Sequence, residues 1–394
     1  MEKLISFRKR VISYCKRCIL YYFSLLLRLF IPIKKKQVLF WADGFNHYGC
    51  NPKYISEYLA NNDNNYSLIW AFQKGVDASN VQDARVVRYG TIEYLFAINS
   101  SEFIITNQRI SSAYVLWKKK KGQKYIMTWH GSCPIKMIMA DANKSKKFKK
   151  IMLKDSAMCD LILSDSDYFT NIVRRSFWYD GDILQKGLPR NDIFFDPKRR
   201  REAKEKICRL FGIDILKPIV LYAPTFRDDE ESFPYITEWK ELKNALNTKF
   251  QNDVKILVRL HPNMINSKPE KELLRNESVI NVTKYDDMQE LLCAADLMIT
   301  DYSSCMFEIS MLQKPCFLFT PDINTYERGF YLSLSNLPFS VANTIQDLID
   351  NINNTDFSEL IRRQENYLIE QFNLVKETNA SGAVLKWMNS CALD

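Results

Sequence analysis

Glycine is scarce in this 394-residue sequence, at eleven positions, and histidine scarcer, at three. No Walker-type loop, Gly-x-Gly-x-x-Gly turn or Gly-x-Ser-x-Gly elbow is present, and no paired-histidine metal motif. Those absences remove the usual grounds for ATP-driven, hydride-transfer or zinc chemistry. The lack of any low-complexity tract argues against a fibrous or linker-rich protein. Ten cysteines are scattered without a dense framework, which predicts a reduced, cytoplasmic setting. Cys15-Lys-Arg-Cys18 has the spacing of half a zinc site, but no second pair completes four ligands, so it reads as two small apolar residues on a helix. The apolar run from Cys18 to Ile33 falls short of the ~20 residues that span a bilayer. It carries Arg28 and Pro32, and no small-residue cleavage site follows it.

What is present is ordinary globular composition, 46% hydrophobic and 26% charged, on a chain long enough for two or three domains. The formal charge of +9 is unevenly placed. Residues 1–36 hold ten Lys and Arg against one acid, Glu2, and Lys118 to Lys154 holds twelve Lys against Asp141. The first block is interleaved with bulky apolar residues, a mixture suited to an anionic membrane surface rather than to nucleic acid. Residues 1–36 are therefore expected to form an amphipathic helix lying in the interface, holding the protein peripherally at the cytoplasmic face of the membrane. A single tilted span with snorkelling Lys and Arg is the alternative.

From residue 37 onward short β-rich runs alternate with helical stretches. Strands are predicted at Gln37–Trp41, Leu68–Phe72, Arg85–Tyr89, Phe103–Thr106, Tyr125–Thr128 and Leu161–Ser164, with helices such as Pro52–Asn61 and Thr91–Asn99 between them. After a charged, helix-prone stretch from Pro197 to Arg209, a second set follows at Ile219–Tyr222, Lys255–Arg259, Val279–Val282, Leu297–Thr300 and Pro315–Phe319. The tail from Ile345 reads as helices. This alternation marks parallel sheets covered by helices. The expected fold is α/β of the GT-B kind: two Rossmann-like, doubly wound domains at 37–196 and 218–394, a linker helix at 197–217, and a carboxyl-terminal helix crossing back. Ligands of such sheets gather at the carboxyl ends of the strands, so the cleft between the domains is the expected site.

Two of the three histidines stand directly after strong β runs. His130 follows Lys-Tyr-Ile-Met-Thr-Trp, and His261 follows Lys-Ile-Leu-Val-Arg-Leu. A histidine held where a strand turns into a cleft suits proton transfer, and each alone is equally a hydrogen-bonded structural residue; two in matched positions favour function. His47, in a turn-rich loop after the first strand, either touches an acceptor or caps the loop, the second being favoured. In Leu297-Met-Ile-Thr-Asp-Tyr-Ser-Ser a strand ends at Thr300 and a helix is expected to start near Ser303, where Ser303, Ser304 and free backbone N–H groups form an anion site. Ser303 is equally a plain N-cap. Glu308 either holds a ribose or polyol hydroxyl or is polar surface. Thr225 and Arg227, after the strand at Ile219, and Arg190, at the domain junction, suit phosphate contact. Surface ion pairs of either arginine with Asp228, Asp229 or Asp192 are as well supported locally.

Taken in order, Thr128-Trp-His-Gly, Gly187-Leu-Pro-Arg-Asn-Asp, Tyr222-Ala-Pro-Thr-Phe-Arg, Arg259-Leu-His-Pro-Asn and Thr300-Asp-Tyr-Ser-Ser with Glu308 resemble the CDP-glycerol glycerophosphotransferases, the teichoic-acid primase and polymerase family. The matching segments span roughly residues 37 to 340. The resemblance implies a GT-B fold, a nucleotide held mainly by the second domain, with Thr225, Arg227, Asp301, Ser303, Ser304 and Glu308 joined by Arg190 from the domain junction as the substrate-binding residues, and catalysis by His130 and His261. Trp129, Gly131 and Lys136 fall on the acceptor side. The family's Thr-Pro-Leu-Lys after Trp-His-Gly is here Ser132-Cys-Pro-Ile-Lys136, which bears on acceptor specificity. With no long segment ahead of it, the chain resembles the short, primase-like or capsule-associated members.

The reaction so implied is in-line transfer of a polyol phosphate from CDP-glycerol or CDP-ribitol to a hydroxyl of a polyprenyl-diphosphate-linked acceptor, with release of CMP. His130 would take the hydroxyl proton, and His261, Arg227 and the Ser303–Ser304 turn would meet the charge on the leaving CMP. No metal-ligand cluster or cofactor motif is present, and a Mg²⁺ ion riding on the diphosphate has no residues in its support. A glycosyltransferase using a UDP- or GDP-sugar shares the same features, and a non-catalytic membrane scaffold is the reading from another class.

Overall fold

The computed structural model describes residues 2–142, 144–227, 236–326, 329–376 and 379–391. Two all-parallel sheets organise the chain. The first holds β1 (Lys34–Trp41), β2 (Ser67–Phe72), β3 (Arg85–Arg88), β4 (Ser101–Thr106), β5 (Lys124–Met127), β6 (Leu161–Ser164) and β7 (Asp182–Gln185), ordered β3-β2-β1-β4-β5-β6-β7. The second holds β8 (Ile219–Tyr222), β9 (Lys255–Val258), β10 (Val279–Asn281), β11 (Leu297–Thr300), β12 (Cys316–Phe319) and β13 (Ser340–Ala342), ordered β10-β9-β8-β11-β12-β13. Helices cover both faces, so central strands such as Ile-Val-Leu-Tyr at 219–222 are buried throughout and read as unbroken apolar runs. In each sheet the order reverses beside its first strand, between β1 and β4 and between β8 and β11. Loops leaving strands at such a reversal diverge and open a crevice at their carboxyl ends.

All eleven predicted strands form, with small changes at their ends; β1 begins at Lys34 rather than Gln37. Two strands escaped prediction, β7 and β13. Both are short edge strands, Asp-Ile-Leu-Gln and Ser-Val-Ala, half-exposed for most of their length and without an apolar run to betray them. The stretch after Asp196 is a helix, Pro197–Phe211, with Pro197 in its first turn, the Asp196 carboxylate accepting from the N–H groups of Lys198 and Arg199, and Gly212 ending it at φ +63°. The last helix, Ala380–Cys391, lays Val384 and Met388 into the core of the first sheet beside Val38, Phe40 and Ile55, so the chain ends on the sheet with which it began.

The amino-terminal helix, Glu2–Phe30, is docked on the first sheet. Leu20, Tyr21 and Leu27 pack on its core, Ser24 is buried and accepts from Asn99 Nδ2 at 2.9 Å, and the Arg28 guanidinium donates to the Lys118 and Lys119 carbonyls at 3.2 Å each. On the opposite face Ile19, Tyr22, Phe23, Leu26, Leu29 and Phe30 are exposed, a stripe at helical spacing. Among the described residues no helix is long and apolar enough to cross a membrane.

Candidate functional site

The site lies where the reversal of each sheet faces the other. At the end of β5 the chain turns sharply because Trp129 adopts φ +57°, a left-handed conformation that bulky residues rarely take. Its carbonyl is held by Asn51 Nδ2 at 3.0 Å, and its ring underlies the His130 imidazole with centroids 4.2 Å apart. His130 Nδ1 lies 3.1 Å from the Asn107 carbonyl oxygen. A carbonyl only accepts, so Nδ1 carries the proton and Nε2 is left with its lone pair.

His261, after β9, is biased the other way. Its Nδ1 accepts from the Asn263 backbone N–H at 3.2 Å, which puts the proton of the neutral ring on Nε2. An edge of each ring is open to solvent, yet the walls of the crevice crowd both and lower their pKa. For His261, where Arg259 and Lys136 add to that crowding, the value falls to about 4. Asp43 and Lys136 act on both rings.

Across the crevice Ser304 precedes the helix Cys305–Met311. The helix begins at Cys305 rather than near Ser303; its N-cap residue, Ser304, makes no side-chain cap bond, and it is the Ser303 hydroxyl that accepts the Cys305 N–H at 3.4 Å and its thiol at 2.9 Å. A Cβ on Gly131 would sit 3.1 Å from Ser304 Oγ, so a larger residue there would have to push that hydroxyl aside by a few tenths of an ångström.

Glu308, one turn into that helix, is not polar surface. It is buried, with one oxygen held by the Arg190 guanidinium and the other by Gln289 Nε2 at 3.2 Å. Arg190 in turn donates to the His130 carbonyl at 2.8 Å, and its backbone N–H to Asn51 Oδ1 at 3.0 Å. Burial works against its charge, but Glu308 more than compensates and raises its pKa. Asp192, weighed as a partner for Arg190, instead accepts the N–H groups of Ala380 and Ser381 at the start of the last helix.

Thr225, Arg227 and Asp301 form a neighbouring knot. Asp301 accepts from the Thr225 N–H at 2.9 Å, the Thr225 hydroxyl at 3.0 Å and Arg227 at 2.9 Å. Arg227 also forks onto Asp322 at 2.6 and 3.2 Å and lies over the rings of Tyr302 and Tyr326. Its acidic partners are thus distant in sequence; Asp228 and Asp229 lie outside the described residues. Lys136 pairs by its backbone with Phe330, and Met137 N–H donates to the Gly329 carbonyl at 2.8 Å, which stitches the loop after His130 to the second sheet. His47 closes its loop by a backbone bridge to Ala42, and its Nδ1 lies 2.9 Å from Asp286 of the second sheet's loops, a contact that raises its pKa. Among the described residues no three His, Cys, Asp or Glu side chains converge as a metal site.

Sequence reasoning overlooked Asp43, Asn107, Gln289 and Asp322. Asp43 and Asn107 do stand at the two strand ends, Ala-Asp-Gly and Thr-Asn-Gln, whose abrupt polarity was the available signal.

Comparison with known proteins places this geometry in context. A family model described as CDP-Glycerol:Poly(glycerophosphate) glycerophosphotransferase matches residues 22–389. The teichoic acid poly(glycerol phosphate) polymerase of Staphylococcus epidermidis is 33% identical over 340 residues, 82% of this chain, and the chain spans 46% of that protein's length. The polymerase of the same description from Bacillus spizizenii is 30% identical over 367 residues, 85% of this chain and 89% of its own. The wall teichoic acid polymerase TagF, in a structure soaked with CDPG, superimposes with a TM-score of 0.83 at 27% identity, covering 98% of each chain.

The Arg190–Glu308 pair gives a stability prediction. Arg190→Met strands a buried carboxylate and is expected to destabilise the protein by about 3–5 kcal/mol. The double variant Arg190→Met/Glu308→Leu is expected to be more stable than Arg190→Met alone. Urea unfolding of the four proteins tests it; a double variant less stable than both single ones contradicts the assignment.

Proposed function

The chain belongs to the CDP-glycerol:poly(glycerophosphate) glycerophosphotransferase family, and from that premise we propose that it transfers glycerol phosphate from CDP-glycerol to a hydroxyl of a lipid-linked acceptor in wall teichoic acid synthesis. The observation that carries the reading is the opposite bias of the two strand-end histidines. An acceptor hydroxyl gives its proton to Nε2 of His130 as its oxygen attacks the glycerol-bearing phosphorus. The bond from that phosphorus to the CMP oxygen breaks, and CMP leaves with the electron pair, met by the Nε2–H of His261 and the Ser303–Ser304 turn. Arg190, Thr225, Arg227, Asp301 and Glu308 shape the donor side; Trp129, Gly131 and Lys136 line the acceptor side.

The two sheets are read as the two domains of a GT-B enzyme, 37–196 and 218–394, joined through 197–217 and closed by the returning last helix. Residues 1–36 are read as an interfacial helix on the cytoplasmic face of the membrane, where a polyprenyl-diphosphate-linked acceptor is at hand. The exposed stripe of Ile19, Tyr22, Leu26, Leu29 and Phe30, flanked by Lys16, Arg17 and Lys34–Lys36, supports this.

His130→Ala is expected to slow CMP release by about 10²–10⁴-fold, the usual loss when a general base is removed. Because crowding lowers the His130 pKa in the free protein, the acid limb of kcat/KM against pH is expected below the ordinary imidazole value of about 6.5, with activity lost as pH falls through it. Near-normal activity of the variant removes His130 from the role; turnover of a UDP-sugar but not CDP-glycerol favours the glycosyltransferase reading, and mass spectrometry of products from CDP-ribitol decides the polyol.

The membrane reading has its own test. Leu26→Asp and Leu29→Asp together leave the docked face intact and are expected to abolish co-sedimentation with anionic vesicles while thermal unfolding is unchanged. Undiminished sedimentation of that variant rules the stripe out as the anchor.

A further inference from the structure

We propose that Asp43 and Asn107 are the positioning pair of the base: they fix which nitrogen of His130 is free, and the carboxylate sets how basic it is. The inference rests on His130 acting as the base and adds what prepares it.

The two residues leave β1 and β4, the strands that flank the reversal of the first sheet. Their contact is reciprocal. The Asp43 backbone N–H donates to Asn107 Oδ1 at 3.0 Å, and Asn107 Nδ2 donates to Asp43 Oδ1 at 3.0 Å. The buried side-chain amide of Asn107 is engaged at both ends, which ties the backbone at 107 to the loop after β1 and so helps hold the Asn107 backbone carbonyl toward His130 Nδ1, 3.1 Å away. A carbonyl loose enough to turn would let the ring flip and present Nδ1 to the crevice instead.

Asp43 is itself held by force. Asp43, Gly44 and Phe45 follow one another at φ +46°, +65° and +73°, a run of left-handed backbone that two of the three residues disfavour. The run persists because Phe45 is buried against Trp41 and Tyr89, with centroids 5.1 and 4.7 Å apart, and because its carbonyl accepts from the Gln73 N–H at 2.8 Å.

The charges around His130 come from four elements. Asp43 reaches it from the β1 loop, Arg190 from the turn Pro189–Phe195, Lys136 from its own loop, and His261 faces it from the loop after β9. The other three are cationic or become so, and each discourages a proton on His130; Asp43 opposes them. After proton transfer the same carboxylate steadies the imidazolium while Nδ1–H stays on the Asn107 carbonyl.

Two variants separate the roles. Asp43→Asn keeps the hydrogen bonds and removes the charge. It is expected to move the acid limb of kcat, read as CMP release from CDP-glycerol, to lower pH by about half a unit or more. Asp43→Ala removes the charge and the carboxylate half of the clamp, keeping only the backbone N–H on Asn107 Oδ1, and is expected to lower kcat about tenfold or more with KM for CDP-glycerol little changed, the mark of an interaction made in the transition state. An acid limb of Asp43→Asn that superimposes on wild type overturns the proposal, as does an Asp43→Ala enzyme with unaltered kcat. If the alanine variant does not fold, the isosteric asparagine variant decides. His130→Gln run alongside tells the two ideas apart: an active His130→Gln enzyme fells the base itself, whereas an inactive one beside an unmoved Asp43→Asn limb fells only the pair.

Discussion

A guanidinium buried between two sheets is costly unless acceptors come to meet it, and Arg190 draws them to both ends of its fork, though not to Nε, from parts of the chain far apart in sequence. Glu308 comes from the helix after β11, the His130 carbonyl from the turn after β5, and Asn51 from the helix after β1 holds the arginine's own backbone. Moving any of these elements by an ångström would leave a buried charge or carbonyl unanswered. The relative placement of the two walls of the crevice is thus held in part by one charge. The approach of Gly131 to Ser304, and with it the facing of His130 toward the second sheet, follows in turn.

Within that frame the two histidines differ although their sequence settings match. Each follows an apolar strand and a turn, but one meets a carbonyl and the other an amide N–H at the same ring atom. The exposed nitrogen is an acceptor in the first case and a donor in the second. A proton can be taken on one side of the crevice and a negative charge met on the other without either ring having to ionise first, and the crowding that lowers both pKa values keeps both neutral at rest.

Much of this was legible from local pattern. Parallel strands covered on both faces are continuous apolar runs, so the central strands and their polar ends, at Thr128-Trp-His and Thr300-Asp-Tyr, stood out. The edge strands β7 and β13 did not, because a half-exposed edge needs few apolar residues. The partners of the charged residues were also hidden. Arg190 and Glu308 lie 118 positions apart, Arg227 and Asp322 95, and nothing in the local text distinguishes such pairs from the nearer Asp192 or Asp228. Asp43 and Asn107 were visible only as interruptions of apolar runs, since their meaning comes from β1 and β4 lying side by side.

Ser24 and Arg28 fasten the amino-terminal helix to the body at separate points, so it cannot swivel as an arm would. Whatever receives the stripe from Ile19 to Phe30 receives the whole molecule at one tilt, with the mouth of the crevice at one altitude. The distance from that plane to His130 is then a ruler written into the fold. If the acceptor is tethered in that plane, as proposed, one shorter than the ruler does not reach His130, and one much longer gains nothing from its tether.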